Sequence, residues 1–399
     1  MTTHIRVDGL YKVFGARPRR ALELAREGRD RAQLQDETGH VLAVDDVSFE
    51  VQRGELFVVM GLSGSGKSTV VRMLNRLIEP TAGTVEIDGQ DVNQLDAAGL
   101  RRLRQEKISM VFQHFALFPH RTVGENAAYG LKVQGVGETE RRERAERALE
   151  TVGLSGWADH YPHELSGGMQ QRVGLARGLA TEADILLMDE PFSALDPLIR
   201  RDMQDLLAQL QAELERTIVF ITHDLNEAMR LGDRICVLKD GRVVQIGTGP
   251  EIIGEPANDY VADFVADVDR SRVLTADLAM RAPRRTFAPT DHPRTVLEWL
   301  DEQEFNGAYV LDEDACIIGV ARDDRLAKGI RDGAEDIRDL LTQDYARSMP
   351  DTLLSDLATL AAQHTVPIAV TDDEGHLVGV VPRARLLATL SGEETPAHA

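Results

Sequence analysis

The segment Gly61–Thr69, GLSGSGKST, fits the pattern GxxxxGK[S/T] of a phosphate-binding P-loop. The apolar run Leu56–Met60 before it predicts a buried strand, and the apolar-periodic segment Val70–Leu74 after it predicts a helix. Glycines let backbone N–H groups converge on phosphate oxygens, and the N-terminus of the following helix adds partial positive charge. Lys67 would reach the β- and γ-phosphates, and Ser68 would offer its hydroxyl to Mg²⁺. The residues of this loop predicted to bind nucleotide are Gly61, Ser63, Gly64, Ser65, Gly66, Lys67, Ser68 and Thr69.

A second segment places two carboxylates at the end of a predicted strand. The apolar run Ile185–Met188 leads directly to Asp189 and Glu190. Asp189 is predicted to bind the Mg²⁺ shell from the strand end. Glu190 would then lie beside the γ-phosphate, where a carboxylate can polarise an attacking water. A strand followed by two acidic residues is weak evidence by itself. Together with a P-loop, it predicts a nucleotide hydrolase.

A third segment, Leu165–Arg172, lies between the first two and has the sequence LSGGMQQR. A serine and two glycines precede a helical pattern there. This arrangement predicts a second helix N-terminus that can bind phosphate, formed by Ser166, Gly167 and Gly168. A simple P-loop ATPase has no use for such an element.

The segment LSGGMQQR resembles the signature motif of ABC-transporter ATPases, and the family's other motifs follow in the family's order. Gln113 in VFQHF is similar to the Q-loop glutamine, Ser193–Asp196 (SALD) to the D-loop, and His223 in ITHD to the switch histidine. Order and spacing, rather than residue type, carry this resemblance, which covers residues 1 to about 250.

The resemblance implies an ATPase that uses ATP and Mg²⁺. Asp196 would help bind the nucleotide, and Phe14 stands where the family places an aromatic ring that stacks on adenine, with Tyr11 as the alternative. The implied catalytic residues are Glu190, His223 and Gln113, and the implied metal ligands are Ser68, Gln113 and Asp189.

In this family two chains enclose two ATP molecules, and the P-loop of one chain faces the LSGG segment of the other. The resemblance therefore implies a homodimer in which Ser166, Gly167 and Gly168 bind the partner's nucleotide. The loop Phe115–His120 lies in the region where the family receives a coupling helix from a separate membrane permease. Ordinary packing of a helical subdomain is the alternative role for that loop.

Three longer stretches narrow the resemblance to the ATPase subunit of glycine betaine/proline betaine importers: GLSGSGKSTVVRMLNRLIEPTAG, FSALDPLIRRDMQDLL and ITHDLNEAMRLGDRI. This implies uptake of a quaternary-amine osmolyte that a periplasmic or extracellular substrate-binding protein delivers to the permease. An importer for choline, carnitine or another small solute is the alternative in the same class. Two alternatives lie outside the class of transporters. One is a soluble ABC ATPase that acts in DNA repair or translation, and the other is a protein that is chiefly a nucleotide sensor. The chain has one ATPase cassette and no sustained heptads, which argues against the soluble ATPases. The intact set of Asp189, Glu190 and His223 argues against a protein that only senses nucleotide.

Apolar strand-like runs alternate with helical patterns through residues 1–265, which predicts an α/β domain with a mostly parallel sheet. We expect a helical subdomain at about 92–180 and a helical insertion at about 16–43, in which Pro18 opens one helix and Asp30 caps a second that ends near Gly39. The predicted strands are Val47–Val51, Leu56–Met60, Ile108–Phe112, Ile185–Met188, Ile218–Ile221 and Ile235–Leu238, and the clearest helical patterns are Glu140–Val152 and Arg201–Glu215.

Composition limits the remaining possibilities. The net charge of −21 argues against a nucleic-acid partner. Cys236 and Cys316 are too few for a disulfide framework. No run of about eighteen apolar residues occurs, so we expect no membrane span. The resemblance places the chain peripherally on the cytoplasmic side of the cell (inner) membrane.

Residues 266–399 carry 25 Asp and Glu against 14 Lys and Arg, and they contain an internal repeat with a shift of 60 residues. Gly319-Val320 overlays Gly379-Val380, and each copy predicts helix, strand, acidic turn, strand and helix. The copies, at about 276–333 and 336–391, resemble a tandem of CBS modules, an α+β domain that we expect to regulate transport.

Two regulatory routes are open for this tandem. One is electrostatic. Salt weakens the interaction between a charged surface of this domain and lipid or another domain, so the contact would respond to ionic strength. The other is an adenine nucleotide in the cleft between the copies, with its phosphates bound by arginines. The basic residues considered for either role are Arg322, Arg325, Lys328, Arg331, Arg383 and Arg385.

Overall fold

The structure is a computed structural model that describes residues 2–113, 116–193, 195–214, 216–266 and 268–391. Its contacts divide the chain into two compact units, Met1–Val268 and Asp269–Ala399. Several sequence predictions fall partly outside the described residues: Phe115 of the predicted coupling loop, Ala194 of the D-loop, Glu215 of the helix Arg201–Glu215, and the end of the second domain, residues 392–399.

The first unit is built on two sheets. Its strands are β1 (Thr3–Phe14), β2 (Val41–Gln52), β3 (Leu56–Met60), β4 (Ala82–Ile87), β5 (Gln90–Asp91), β6 (Ile108–Val111), β7 (Ile185–Asp189), β8 (Thr217–Thr222), β9 (Arg234–Lys239) and β10 (Arg242–Gly247). Within the described ranges, one sheet has the order β2-β1-β4-β5 and the other β10-β9-β3-β8-β7-β6. Neighbouring strands of the second sheet are parallel, except that β10 runs antiparallel to β9. The prediction of a mostly parallel sheet is therefore confirmed.

Helices connect and cover these strands. They are α1 (Pro18–Arg26), α2 (Arg31–Thr38), α3 (Lys67–Leu74), α4 (Ala97–Glu106), α5 (Val123–Ala127), α6 (Tyr129–Gln134), α7 (Glu138–Thr151), α8 (Gly167–Ala180), α9 (Pro197–Leu214), α10 (Leu225–Leu231), α11 (Gly249–Gly254) and α12 (Asp259–Val265). The range 92–180, predicted as a helical subdomain, contains α4 to α8. It also contains β6, which pairs with β7 in the parallel sheet.

The central strands are apolar along most of their length, as is typical of strands with both faces covered. Every residue of β3 and β8 is buried. Phe57 and Val59 of β3 join a core cluster with side chains from both sheets, and α3 adds Val70 and Leu74. This packing fixes the start of α3 against the end of β3, and thereby the loop between them.

The predicted insertion is a pair of helices with a small core of its own. α1 begins at Pro18, and Asp30 caps α2 with a reciprocal capping box, as predicted. Gly39 ends α2 in the left-handed conformation. The strand expected at Val47–Val51 begins earlier, because residues 41–44 pair with the end of β1. The cluster that joins the helices to β1 and β2 consists of Val13, Ala21, Leu22, Ala25, Leu34 and Leu42.

The second unit contains α13 (Ala276–Ala279), α14 (Pro293–Gln303), β11 (Gly307–Leu311), β12 (Ile317–Arg322), α15 (Asp323–Arg331), β13 (Arg347–Ser348), α16 (Leu354–Gln363), β14 (Ile368–Thr371), β15 (Leu377–Val381) and α17 (Arg383–Ser391). Val310 pairs with Gly319 in one hairpin and Val370 with Gly379 in the other, each followed by a register shift. The 60-residue repeat is therefore present in the strand register.

The two copies share a core, as expected of halves that are too small to be stable alone. Tyr309 and Val320 of the first copy pack with Val366, Ala369 and Val380 of the second. The Tyr309 hydroxyl donates to the carbonyl oxygen of Pro367 over 2.6 Å. Throughout the described ranges, no helix is both long and apolar enough to cross a bilayer.

Candidate nucleotide-binding and hydrolysis site

Three adjacent parallel strands bring the predicted site residues to one edge of the sheet. β8 lies between β3 and β7, with Met60 paired to Thr222 and Asp189 to Ile221. The P-loop follows β3, His223 follows β8, and Glu190 follows β7. Because parallel strands end at the same edge, residues that are far apart in sequence meet there.

The P-loop has a backbone path that only glycine fits. Gly61 and Gly66 have φ angles of 148° and 101°. A Cβ at Gly61 would overlap the carbonyl oxygen of Leu238, and one at Gly66 that of Ala43. Gly64 also has a positive φ, but it faces open space. The loop is thus held tightly at its ends and is open at its turn.

Lys67 is the first residue of α3 and is 4% exposed. Its ammonium group donates to the carbonyl oxygens of Gly61 and Leu62 over 2.8 and 3.1 Å and lies 4.0 Å from Glu190 Oε1. Burial lowers the pKa of Lys67, and the carboxylates of Glu190 and Asp189 partly oppose that shift. The structure therefore holds a buried cation inside the curve of the loop.

Ser68 and Asp189 meet at the start of α3. Ser68 Oγ donates to Asp189 Oδ1 over 2.8 Å, and Arg72 donates to Asp189 Oδ2 over 2.9 Å. Asp189 is almost fully buried, and Thr69, the next residue after Ser68, is half-buried. The sequence reasoning missed Arg72, although its position four residues after Ser68 places it on the same face of α3.

Glu190 lies at the centre of the predicted catalytic residues. His223 Nδ1 lies 3.1 Å from Glu190 Oε2, and Gln113 Nε2 donates to the same oxygen over 3.4 Å. Glu190 has a φ of +46°, a conformation that costs energy for a residue with a side chain and is often found at functional sites. Among the described residues, Gln113 contacts Glu190 and Ser193 and makes no hydrogen bond to Ser68 or Asp189.

The LSGG segment forms the N-terminus of α8. Ser166 caps α8 by accepting a hydrogen bond from Met169 N over 3.3 Å. Gly167 is exposed, and Gly168 packs so closely on Ile199 that a Cβ would overlap it. Within the described part of the chain, no hydrogen bond or ion pair joins Ser166–Gly168 to the P-loop. Asp196 caps α9 through the N–H groups of residues 198 and 199, at 3.1 Å each.

The two aromatic rings predicted as candidates for stacking on adenine have different surroundings. Phe14 is 42% exposed at the end of β1, with the Lys12 ammonium 5.0 Å from its ring centre. Tyr11 packs against the insertion, and the Arg26 guanidinium lies 5.2 Å from its ring centre. The exposed face of Phe14 is the one available for stacking on a base.

Comparisons with known proteins identify the family of the chain. A family model for the ABC transporter matches residues 44–193, and one for the CBS domain matches residues 337–392. The chain is 46% identical over 395 residues to the glycine betaine/carnitine transport ATP-binding protein of Listeria monocytogenes, covering 99% of both chains. This chain belongs to the ABC-transporter family of ATP-binding proteins.

Other relatives and a solved structure support the same assignment. The ABC ATPase is 48% identical over 398 residues to the glycine betaine/proline betaine transport system ATP-binding protein of Salmonella typhimurium, which covers 98% of this chain and 99% of that one. It also matches the dimeric structure of MJ0796, a bacterial ABC transporter cassette, with a TM-score of 0.52 and 36% identity over 61% of this chain and 98% of the other.

As a member of this family, the ABC ATPase binds and hydrolyses ATP. The P-loop fits a phosphate chain, since its buried Ser65 hydroxyl has no hydrogen-bond partner among the described residues. The residues also fit Mg²⁺, because the Ser68 hydroxyl and the Asp189 carboxylate present neighbouring oxygens, the ligand type that Mg²⁺ prefers.

Proposed function

We propose that this ABC ATPase is the energy-supplying subunit of an importer for glycine betaine, proline betaine or a similar quaternary-amine osmolyte. The observation that supports the substrate class is likeness at 46–48% identity over nearly the whole chain to transport proteins named for these solutes. One of those names includes carnitine, and a choline transport ATP-binding protein of Bacillus subtilis is 36% identical over 368 residues. Carnitine and choline are therefore the second candidates.

Uptake of radiolabelled glycine betaine by cells that carry the chain and its permease tests this assignment. We expect excess unlabelled proline betaine to compete with it more strongly than carnitine or choline. Competition by choline alone would favour the second candidates. Uptake that no quaternary amine inhibits would contradict the proposal.

The single observation that supports the hydrolytic role is the meeting of Glu190, His223, Gln113 and Lys67 at one sheet edge. Glu190 would accept a proton from the attacking water, and His223 and Gln113 would orient that carboxylate and the γ-phosphate. Lys67 and the P-loop N–H groups would balance the phosphate charge. Bound Mg²⁺, held by Ser68 and Asp189, would neutralise further charge on the β- and γ-phosphates.

We further propose that the active form is a homodimer with shared sites. Among the described residues, Ser166 makes no hydrogen bond to the P-loop of its own chain, so its helix N-terminus would be available to a second nucleotide. Leu62 in the P-loop and Leu198 at the start of α9 are 57% and 77% exposed, so each is an apolar side chain that a partner chain can cover. A second copy would cover both and present its own LSGG segment.

A groove on the first unit is the proposed docking site for a helix of a membrane permease. It has a volume of about 290 Å³ and includes Met110 of β6, Phe112 directly after β6, and the exposed side chains of Leu77 and Val133. Gln113 directly follows this groove in sequence, which links docking to the catalytic cluster. The chain would thus sit peripherally on the cytoplasmic side of the membrane, while a substrate-binding protein on the other side would bring the osmolyte to the permease.

The second unit is proposed to regulate transport. Arg325 donates to the carbonyl oxygen of Leu341, and Arg383 to those of Ala361 and His364, so these two guanidinium groups are used within the fold. Another arginine set, missed in the sequence, lines a cavity of about 40 Å³ between the repeats: Arg281, Arg284 and Arg285, beside Trp299 and Phe305. A nucleotide would need this cavity to widen, whereas an electrostatic response would not.

A further inference from the structure

The helical insertion lies next to the nucleotide site at two places. α1 begins four residues after Phe14, the ring proposed for adenine. At its other end, α2 begins with Arg31, whose guanidinium donates to the carbonyl oxygen of Gly64 in the P-loop over 3.0 Å. The insertion therefore extends from the base side of the site to the phosphate side.

The backbone of Arg31 is fixed by the packing of α2, whereas its guanidinium makes a single hydrogen bond among the described residues. The Asp30 carboxylate accepts the N–H of Gln33 over 2.8 Å, and Leu34 of the same helix is fully buried. These contacts fix the first turn of α2. The guanidinium has five N–H donors, and only the bond to Gly64 is formed within the described residues, with no carboxylate partner.

Other arginines of the insertion are engaged differently. Arg29 pairs with Glu37 at 3.4 Å, and Arg26 lies over the ring of Tyr11. Arg31 is the insertion arginine that reaches the P-loop, and it does so at Gly64, beside which the loop faces open space. A guanidinium with unused donors at the open turn of a phosphate-binding loop matches the geometry of phosphate oxygens.

We infer that Arg31 binds the phosphate chain of the nucleotide, and that the insertion is a structural part of the ATP site. This rests on the proposed placement of ATP on the P-loop. Arg31 contributes a charge that the P-loop itself supplies only through Lys67, and it couples the position of α2 to the presence of phosphate. The alternative is a purely structural role, in which Arg31 only stabilises the P-loop through its hydrogen bond to the Gly64 carbonyl oxygen.

Titration of the full-length protein with fluorescent ATP and AMP analogues separates these roles. Arg31→Gln keeps a hydrogen-bond donor but loses the charge. We expect it to raise the Kd for ATP about tenfold, the effect of losing a hydrogen bond between charged groups. The Kd for AMP should rise by a smaller factor. Arg31→Lys should recover part of the loss. Arg29→Gln, two residues away and paired with Glu37, should bind ATP like the wild type.

ATP binding by Arg31→Gln equal to wild type, or equal weakening for ATP and AMP, would overturn the inference. Lys67→Ala distinguishes this from failure of the underlying placement. If Lys67→Ala loses ATP affinity and Arg31→Gln does not, only the role of Arg31 is wrong. If neither variant affects binding, ATP does not lie on this loop.

Discussion

Arg72 and Asp189 form an ion pair in which the guanidinium donates to Oδ2 over 2.9 Å, while Ser68 donates to Oδ1 of the same carboxylate. The carboxylate is almost fully buried, and Arg72 reaches it from the partly exposed side. Both oxygens of the proposed metal ligand are thus oriented before any metal binds. Arg72 therefore places a positive charge beside the carboxylate that Mg²⁺ would bind, and we expect it to compete with the metal for that carboxylate.

We expect Arg72→Gln to lower the Mg²⁺ concentration needed for half-maximal binding with ATP several-fold, because a competing cation is removed. The unfolding free energy should fall by about 1 kcal/mol, because a hydrogen bond to a charged group is weakened. Paramagnetic resonance of Mn²⁺ with ATP measures the first effect, and chemical denaturation the second. Arg102→Gln on the exposed face of α4 is the control. A higher metal requirement in Arg72→Gln would contradict this role.

The shared-site proposal predicts recovery of activity in a mixture of two inactive variants. Lys67→Ala removes the phosphate-binding cation, and Ser166→Arg blocks the LSGG helix N-terminus. In a mixed dimer both changes fall on one composite site, so the other is intact. We expect phosphate release from the mixture and very little from either variant alone. Absence of recovery in dimers shown to be mixed would argue that each chain hydrolyses ATP by itself.

The groove proposal predicts that ATP hydrolysis and transport can be separated. Leu77→Arg places a charge on an exposed apolar side chain of the groove, far from Glu190 in sequence and outside the catalytic cluster. We expect the variant to hydrolyse ATP as an isolated protein but to lose co-purification with the permease. Leu387→Arg, on an exposed leucine of α17, is the matched control. Retained co-purification by Leu77→Arg would exclude this groove as the docking site.

The acidic turn of the second repeat predicts a pH-dependent contact. A hydrogen bond to Asp372, 2.9 Å away, raises the pKa of His376 above 6.5, with smaller contributions from Glu374 and Asp314, and lowers the pKa of Asp372. The pair therefore stabilises the fold fully below the unfolded pKa of histidine, until Asp372 itself is protonated, and is lost as pH rises through the folded pKa of His376.

We expect His376→Gln to lower the melting temperature near pH 6 more than near pH 9, where wild-type histidine is neutral. An NMR titration should place the pKa of His376 above 6.5 in the wild type and lower in Asp372→Asn. An unchanged pKa in Asp372→Asn would show that this contact does not control the titration.

The motifs of the chain predicted most of the local structure of the candidate site, because glycine loops, strand-end acids and helix caps are local features. The P-loop, Asp189, Glu190 and the two insertion helices lie where local patterns indicate. The repeat was also predictable, because its 60-residue shift is preserved in the pairing of Val310 with Gly319 and of Val370 with Gly379.

Contacts between distant segments were not predictable from the sequence. Arg31 is one of several arginines in the insertion at residues 16–43, and only the packing of α2 brings it to Gly64. Arg72 occupies an ordinary position on an amphipathic helix, and its partner lies 117 residues further along the chain. The antiparallel sheet β2-β1-β4-β5 depends on pairings that no short pattern specifies.

Glu190 provides the most direct test of the central claim that hydrolysis at this cluster drives osmolyte import. With the permease in proteoliposomes, the wild-type chain should show ATP-dependent uptake of radiolabelled glycine betaine. Glu190→Gln should still bind ATP, yet release phosphate and accumulate solute on the order of 100-fold more slowly, as loss of a general base predicts. Glu143→Gln, an exposed glutamate on α7, should behave like the wild type. Uptake and phosphate release by Glu190→Gln at wild-type rates would contradict the account.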